Sequence, residues 1–212
     1  MITIHHLSVS QSDRIVWLME ELGLPYELKW YNRGPDRLAP PEYLALHPAA
    51  TAPVIEDGEV VLAESAAIVE YICHRHGGGR LTVAPESADY PHYLYWLHFN
   101  NNMLSLFFAR NALRANAHGP EADRIGGLLK RREDGYFRFL EQRLGEAHYL
   151  GGSELTGADI MSVFPLTTLS LFGGRAVDDL PNVQAYLARI KARPAYVRAM
   201  AIAGPQASAP GK

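Results

Sequence analysis

PVIEDGEVVLAESAAIVEYIC, running from Pro53 to Cys73, is the stretch on which the reading of the fold turns. Val54-Ile55-Glu56 is β-prone, and Asp57-Gly58 is a strong hairpin signal because tight hairpin turns need residues that tolerate positive φ. Val60-Val61-Leu62 then resumes the strand pattern, so the segment reads as a β-hairpin. Directly after it, Ile68, Val69, Ile72 and Cys73 recur at three-to-four spacing, with Ser65 placed to cap a helix and Gly77-Gly78-Gly79 to stop it. Strand, turn, strand, helix is the expected order.

Upstream, Ile2-Thr3-Ile4 is a short β-prone run. A polar stretch from Ser8 to Asp13 follows, and then Ile15, Leu18, Met19 and Leu22 fall at helix spacing. Gly23, with Pro25 just beyond, ends that helix, and Tyr26 to Tyr31 reads as a second strand. A helix between two strands is the crossover that parallel pairing requires. The Pro- and Ala-rich stretch from Ala39 to Ala52 reads as an irregular or weakly helical connection into Pro53. The first 78 residues are therefore expected to run β-α-β, then β-β-α.

Downstream, Arg80 to Tyr90 has the composition of an interdomain linker, and no strand pattern follows it. Leu94, Leu97, Met103, Leu104 and Phe107 mark one long helix from Tyr90 to Ala117. Ile125, Leu128, Leu129, Phe137 and Leu140 mark another from Glu121 to Leu144. The expected fold class is α/β plus all-α, with one domain over residues 1–78 and an all-helical domain over 88–203. The tail from Gly204 to Lys212 is expected to fray.

The chain has 212 residues, 48% of them apolar and 20% charged, enough to bury a sizeable core in one large or two small domains. A formal net charge of -3 offers no basic field for a phosphate backbone or an anionic membrane, so neither nucleic acid nor membrane is an expected partner. The single cysteine, Cys73, rules out an intrachain disulfide and suits a reducing compartment; the cytoplasm is expected. Asp13, Arg14, Glu20 and Glu21 interrupt anything resembling a secretory leader, and no apolar run is long enough to span a bilayer. Nine histidines raise the question of a metal. His5 and His6 are adjacent on a strand and must face opposite ways, and His74 and His76 are two apart on a helix, so neither pair chelates and no metal is expected.

Particular residues sharpen the β-α-β, β-β-α, all-helical plan. Ile4-His5-His6-Leu7 through Leu18-Met19-Glu20-Glu21-Leu22-Gly23-Leu24-Pro25-Tyr26-Glu27 resembles the opening of the serine-type bacterial and fungal glutathione S-transferases. Ala63-Glu64-Ser65-Ala66-Ala67-Ile68 is similar to that family's glutathione-binding segment. Leu155-Thr156-Gly157-Ala158-Asp159-Ile160 resembles its C-terminal motif, and Ala192-Arg193-Pro194-Ala195-Tyr196 its closing helix. The resemblance covers nearly the whole chain. It implies a thioredoxin-like N-terminal domain, β-α-β-β-β-α, followed by a helical bundle domain. It also implies glutathione as co-substrate, a homodimer, and a reaction in which the glutathione thiolate attacks a hydrophobic electrophile.

Site residues follow from the resemblance. Ser10 stands four residues before Arg14, the offset at which serine-type members carry the hydroxyl that holds the thiol, and Ser12 is the alternative. Ser12 and Asp13 also fit as plain helix caps. No histidine is placed beside these serines by the order of residues, and a Gly-x-Ser-x-Gly elbow is absent, so hydrolase chemistry is not indicated. The family carries a cis-proline where Pro53 stands, with neighbouring backbone pairing to the cysteinyl unit. Thr51, Ala52, Pro53 and Val54 are thus glutathione-binding candidates, and the N–H and C=O of Val54 are the expected ligands. Glu64 and Ser65, at a helix start, are expected to take the γ-glutamyl group. Many relatives have a basic residue where Thr51 stands, so the glycyl carboxylate lacks an obvious cation; His47 and Arg33 are the substitutes considered.

Thr156-Gly157-Ala158-Asp159 is a capping box, with a structural role. Trp96, Asn100 and Met103 share one helix face and are the candidates for the second-substrate pocket. Cys73 lies in an apolar stripe and is expected to be a buried small hydrophobe. Two alternatives stand beside the transferase: a non-catalytic glutathione- or ligand-binding protein on the same fold, and a glutathione-dependent peroxidase. A thiol-disulfide oxidoreductase is disfavoured by the absence of a Cys-x-x-Cys.

Overall fold

The computed structural model describes residues 1–209; the last three residues of the tail expected to fray lie outside the described residues. By its contacts the chain forms two compact units, Met1–Ala84 together with the chain from Ala188 on, and Pro85–Leu187.

The first unit runs β1 (Ile2–Leu7), α1 (Asp13–Leu22), β2 (Tyr26–Tyr31), α2 (Pro41–Leu44), β3 (Val54–Asp57), β4 (Val60–Ala63) and α3 (Ser65–Arg75). Its four strands form one sheet in the order β2-β1-β3-β4, with β1 parallel to β2 and β3 antiparallel to both of its neighbours. This is the expected thioredoxin-like arrangement, and α2 is the weak helix expected between Ala39 and Ala52. Every residue of β1 is buried, which fits an interior strand covered on both faces. Period-two alternation then sends His5 and His6 to opposite faces. His5 reaches Tyr31 Oη at 3.0 Å, while His6 packs on Trp30 with ring centroids 4.4 Å apart.

The hairpin forms one residue later than the sequence indicates. Asp57 pairs with Val60 inside the ladder, and the turn is Gly58-Glu59. Only Gly58 takes a positive φ, 61°, which is the requirement of a turn with its left-handed residue first. Gly23 ends α1 as expected, at φ 63°, with its N–H and that of Leu24 returning to the Glu20 and Met19 carbonyls.

α8 (Pro194–Ala203) belongs to this unit, although the sequence placed it with the helical domain over 88–203. It packs on α1: the Tyr196 ring meets Trp17 edge-on at 5.0 Å, and Arg193 Nε and Nη2 bind the two carboxylate oxygens of Glu21 at 2.7 and 2.8 Å. Arg198 binds Glu20 at 2.7 Å. A bidentate guanidinium on a mostly buried carboxylate fixes orientation as well as adding energy, which is why the chain's end returns to its first helix.

The second unit holds α4 (Tyr90–Asn116), α5 (Pro120–Glu146), α6 (Gly157–Thr167) and most of α7 (Pro181–Lys191). α6 opens with the expected capping box. Ala158 N–H donates to Thr156 Oγ1, and Asp159 Oδ2 accepts from Thr156 N–H at 2.8 Å. Asp159 is fully buried and also accepts from Leu150 N–H and Tyr186 Oη, both at 3.0 Å. One carboxylate thus ties α6 to the loop before it and to α7. Among the described residues no helix is long and apolar enough to cross a membrane.

Candidate functional site

The sheet register decides what gathers at one end of the first unit. β3 is antiparallel to β1, with Val54 opposite His5, so the start of β3 lies beside the end of β1. β4 is antiparallel to β3, with Ala63 opposite Val54, so the end of β4 lies there too. The loop from Ser8 to Ser12, the Ala52-Pro53 bond and Glu64-Ser65 therefore emerge together, and α1 and α3 both start there. Two helix N-termini at one place favour bound negative charge. Two non-glycine residues of positive φ occur in these segments, Val9 at 51° and Glu64 at 76°, and a third, Ala50 at 51°, stands two residues before Ala52. Such conformations cost energy and persist where surrounding structure over-determines them, commonly at functional sites.

Ser10 and Ser12 are both buried, and their hydroxyl oxygens lie 2.8 Å apart. Ser10 Oγ donates to the Leu7 carbonyl at 2.7 Å and accepts from Ser12 N–H at 3.3 Å. Ser12 stands at the N-cap of α1, yet its side chain makes no capping bond. Its hydroxyl turns back instead, accepting from Leu7 N–H at 3.2 Å and meeting His6 Nδ1 at 2.9 Å. This corrects two sequence readings. Ser12 is not a plain cap, and a histidine does stand beside the serines, brought there because β1 directs His6 to the face on which α1 begins.

The Ala52-Pro53 bond is cis, as the resemblance implies. Val54 lies inside β3 between His5 of β1 and Ala63 of β4, so both of its flanks are occupied by strands. The open backbone is one step upstream. Ala52 is half-exposed, and neither its N–H nor its carbonyl bonds another backbone group among the described residues. An added strand meets Ala52 first, and Thr51 beside it is exposed.

Arg33 is committed elsewhere than to a carboxylate. Its Nε donates to the Ser8 carbonyl at 2.9 Å, Nη2 to Val9 at 3.3 Å and Nη1 to Arg37 at 3.0 Å. It holds the loop that carries Ser10. His47 uses Nδ1 to accept Ala49 N–H at 3.1 Å, which leaves Nε2 for another partner.

Glu64, not Ser65, occupies the N-cap of α3, and its carbonyl accepts Ile68 N–H at 3.0 Å. Ser65 is the first helical residue and is buried, and its hydroxyl bonds no described residue. The N–H groups of Ser65, Ala66 and Ala67 have no acceptor within the helix. Together they form a cluster of donors awaiting acceptors. Beneath them Arg14 is buried; burial lowers its guanidinium to about 10 against the opposing pull of Asp13 and Glu64, and it stays cationic at neutral pH. Burial pushes the Asp13 carboxyl up to about 7. Cys73 is buried on α3, its thiol pushed up to about 12 by burial, and is inert as expected.

In the second unit, Trp96 and Asn100 are fully buried, Trp96 stacking on Phe139 with centroids 5.2 Å apart. Met103 alone of the three reaches a recess, a space of about 20 Å³ bordered also by Phe107, Tyr136 and Pro165. Sequence spacing grouped the three on one face, but the packing of that face against α5 and α6 closes most of it. Among the described residues no group of three or more His, Cys, Asp or Glu side chains is placed to share a metal ion.

Comparison with known proteins agrees with this geometry. Residues 10–75 match the family description "Glutathione S-transferase, N-terminal domain", and residues 129–194 match "Glutathione S-transferase, C-terminal domain". Glutathione S-transferase 3 of Schizosaccharomyces pombe is 32% identical over 183 residues, covering 78% of this chain and 73% of that one. A crystal structure of a glutathione S-transferase from Actinobacillus pleuropneumoniae superposes with a TM-score of 0.88 at 35% identity, covering 97% of this chain and 95% of the other. This chain belongs to the glutathione S-transferase family. A family member from Pseudomonas fluorescens, solved with two glutathione molecules bound, is 26% identical with a TM-score of 0.73, covering 94% of this chain and 92% of that one. Sequence reasoning did not place His6 beside the serines, and although it included Ala52 among the candidates it expected the open backbone at Val54. The offset of six between His6 and Ser12, and the open position before Pro53, were the signals available for them.

Proposed function

We propose that this family member binds glutathione at the end of the sheet where β1, β3 and β4 converge, holds its sulfur as thiolate with the Ser10 hydroxyl, and transfers it to a hydrophobic electrophile. The convergence there of a buried hydroxyl pair, an open backbone at Ala52 and the free donors of Ser65 carries the reading. Ala52 pairs with the cysteinyl backbone, and Thr51 touches the adjoining peptide. Ser65 and the free N–H groups of α3 take the γ-glutamyl carboxylate, and Glu64 the γ-glutamyl ammonium.

An ordinary cysteine thiol has a pKa of about 8.5, so only a few per cent is thiolate at neutral pH. Lowering it by about 2 units makes thiolate the majority form and requires about 2.7 kcal/mol. One hydrogen bond to a charged sulfur, aided by a helix N-terminus, is of that size. The thiolate then forms the sulfur–carbon bond as the electrophile's leaving group departs with the electron pair.

The protein works in the cytoplasm, where a single buried thiol is at home, and as a homodimer, consistent with Val60 and Val61 being exposed on the edge strand β4. Light scattering giving the monomer mass at micromolar concentration removes the dimer. Retention on immobilised glutathione together with turnover of an activated aryl halide tests the function. Retention without turnover of any electrophile tried, peroxides included, leaves a binding protein and overturns the transferase.

A further inference from the structure

The two serines and His6 form a chain of hydrogen bonds whose proton order has only two solutions. Ser12 Oγ has two lone pairs and one proton, and it faces Leu7 N–H at 3.2 Å, His6 Nδ1 at 2.9 Å, Ser10 Oγ at 2.8 Å and, more distantly, the Leu7 carbonyl at 3.4 Å. Suppose His6 carries its proton on Nδ1. Ser12 then accepts from both Leu7 N–H and His6 Nδ1–H, and its own proton goes to Ser10: two hydroxyl oxygens 2.8 Å apart need a proton between them, and the other acceptor in reach, the Leu7 carbonyl, is farther away at 3.4 Å. Ser10 Oγ already accepts from Ser12 N–H, so it is left with no lone pair and must donate. Its donation goes to the Leu7 carbonyl or to an incoming sulfur. Suppose instead that the proton is on Nε2. Ser12 then donates to His6, keeps a vacant lone pair, and draws the Ser10 proton inward.

Two observations choose between these states. His6 is fully buried, and its Nε2 has no hydrogen-bond partner among the described residues. A buried N–H without an acceptor is costlier than an unused lone pair, so the proton belongs on Nδ1, where Ser12 receives it. Burial alone, with no neighbouring charge acting on the ring, lowers the imidazole to about 4, so it is neutral at physiological pH and does not take up the thiol proton, which leaves to water.

We infer that His6 is a positioning residue for the thiol: its Nδ1–H, donated to Ser12 Oγ, orders the two hydroxyl protons so that Ser10 Oγ–H points outward as a donor to the glutathione sulfur. The inference rests on the assignment of Ser10 to the sulfur made above. Linked donors polarise one another, so the outward bond is stronger than that of an isolated serine.

The experiment measures the ultraviolet thiolate absorbance of bound glutathione against pH in the wild type and in Ser10→Ala, Ser12→Ala, His6→Leu and His6→Asn. Asparagine keeps an N–H donor near the Nδ1 position. Loss of one neutral hydrogen bond's worth of support corresponds to a fall of about three- to tenfold in the thiolate-to-thiol ratio at a fixed pH. The expected result is that fall in His6→Leu and in Ser12→Ala, with no further fall when both are combined, recovery in His6→Asn, and glutathione affinity that is unchanged at a pH low enough for the bound thiol to be protonated. Nitrogen NMR of the wild type should report the Nδ1–H tautomer. If Ser10→Ala shifts the titration and neither His6→Leu nor Ser12→Ala does, the positioning role is overturned while the Ser10 assignment stands. If Ser10→Ala does not shift it, the assignment itself fails and the inference falls with it. Should His6→Leu not fold, Ser12→Ala and the tautomer decide, and an Nε2–H tautomer overturns the inference.

Discussion

Arg33 Nη2 donates to the carbonyl of Val9 at 3.3 Å, and Val9 is a β-branched residue held at a φ of 51°. Left-handed backbone is unfavourable for such a side chain and persists only under external constraint. Arg33 is that constraint, gripping Ser8 and Val9 at once, two residues and one residue before the Ser10 hydroxyl. Arg33→Ala is therefore expected to lower kcat several-fold with little change in glutathione Kd, because the loop loses its hold while the glutathione contacts lie elsewhere. Steady-state kinetics with isothermal titration calorimetry checks this. A weakened Kd with unchanged kcat would instead make Arg33 a cation for the glycyl carboxylate.

Ser10→Ala is expected to lower turnover far more than glutathione affinity. A hydrogen bond to a charged group contributes about 1.5–3 kcal/mol, which corresponds to a rate loss of roughly ten- to a hundred-fold or somewhat more. The loss should shrink at high pH, where the thiol ionises without help, so the pH-rate profile moves upward. A profile that keeps its midpoint while its amplitude falls excludes thiol ionisation as the step affected.

Ser65→Ala should weaken glutathione binding with a small effect on stability, and Glu64→Ala should weaken it at a larger cost in stability. The Ser65 hydroxyl bonds no described residue, so its removal leaves no buried group unsatisfied, whereas Glu64 is one of the two carboxylates that act on the buried Arg14 guanidinium. Loss of about 1.5–3 kcal/mol at Ser65 corresponds to roughly a ten- to hundred-fold rise in Kd if the bond is to a carboxylate. Calorimetry giving unchanged affinity in both variants would remove these residues from the site.

Stability should carry a pH term from His6. In the unfolded chain its imidazole binds a proton near pH 6.5, and in the folded protein only near 4, because burial disfavours the charged ring. Between those values the unfolded state binds more protons, so the contribution is fully present above pH 6.5 and is lost as pH falls through 4, by about 3 kcal/mol. Asp13 acts in the opposite sense: burial holds its carboxyl at about 7, so it favours the folded state below that pH. The difference between wild type and His6→Asn isolates the histidine. Denaturant midpoints measured from pH 7 to 4 should fall more steeply in the wild type, and parallel curves would show that His6 titrates normally.

Asp159→Ala should be severely destabilising. Its carboxylate accepts from Leu150 N–H, Thr156 N–H and Tyr186 Oη, and alanine leaves these buried donors unpaired. At about 1–3 kcal/mol for each unsatisfied group, a loss of roughly 3–5 kcal/mol is expected, against about 1 kcal/mol for Thr156→Ala, which loses a cap. Urea unfolding of the two variants gives the comparison, and equal losses would mean that Asp159 serves only the helix start.

The elements whose causes are local were legible in advance. Gly23 ends α1 because it alone tolerates the left-handed position there, and the Thr156-Asp159 box satisfies donors within four residues of chain. The hairpin was legible to within one residue, since the sequence marks a glycine but not which of two turn geometries the ladder imposes. Ser65 was misread as a cap because its residue type permits one, whereas the φ of Glu64 places the helix start one residue earlier in the chain.

The strand and helix order and the burial of Cys73 were legible in the sequence because they rest on periodicity, turn chemistry and short-range order, whereas the places of Ser10, Pro53 and Glu64-Ser65 were legible through the family resemblance. The tertiary structure alone decided which of those residues meet. His6 reaches Ser12 only because β1 pairs with β2 and β3 in one register, and a slip of one residue would turn the imidazole to the opposite face. Ala52 is open because Val54 is flanked on both sides, and α8 returns to α1 because Glu21 lies where Arg193 can close on it. Each depends on contacts between residues far apart in the chain, and no local preference encodes the distance between them.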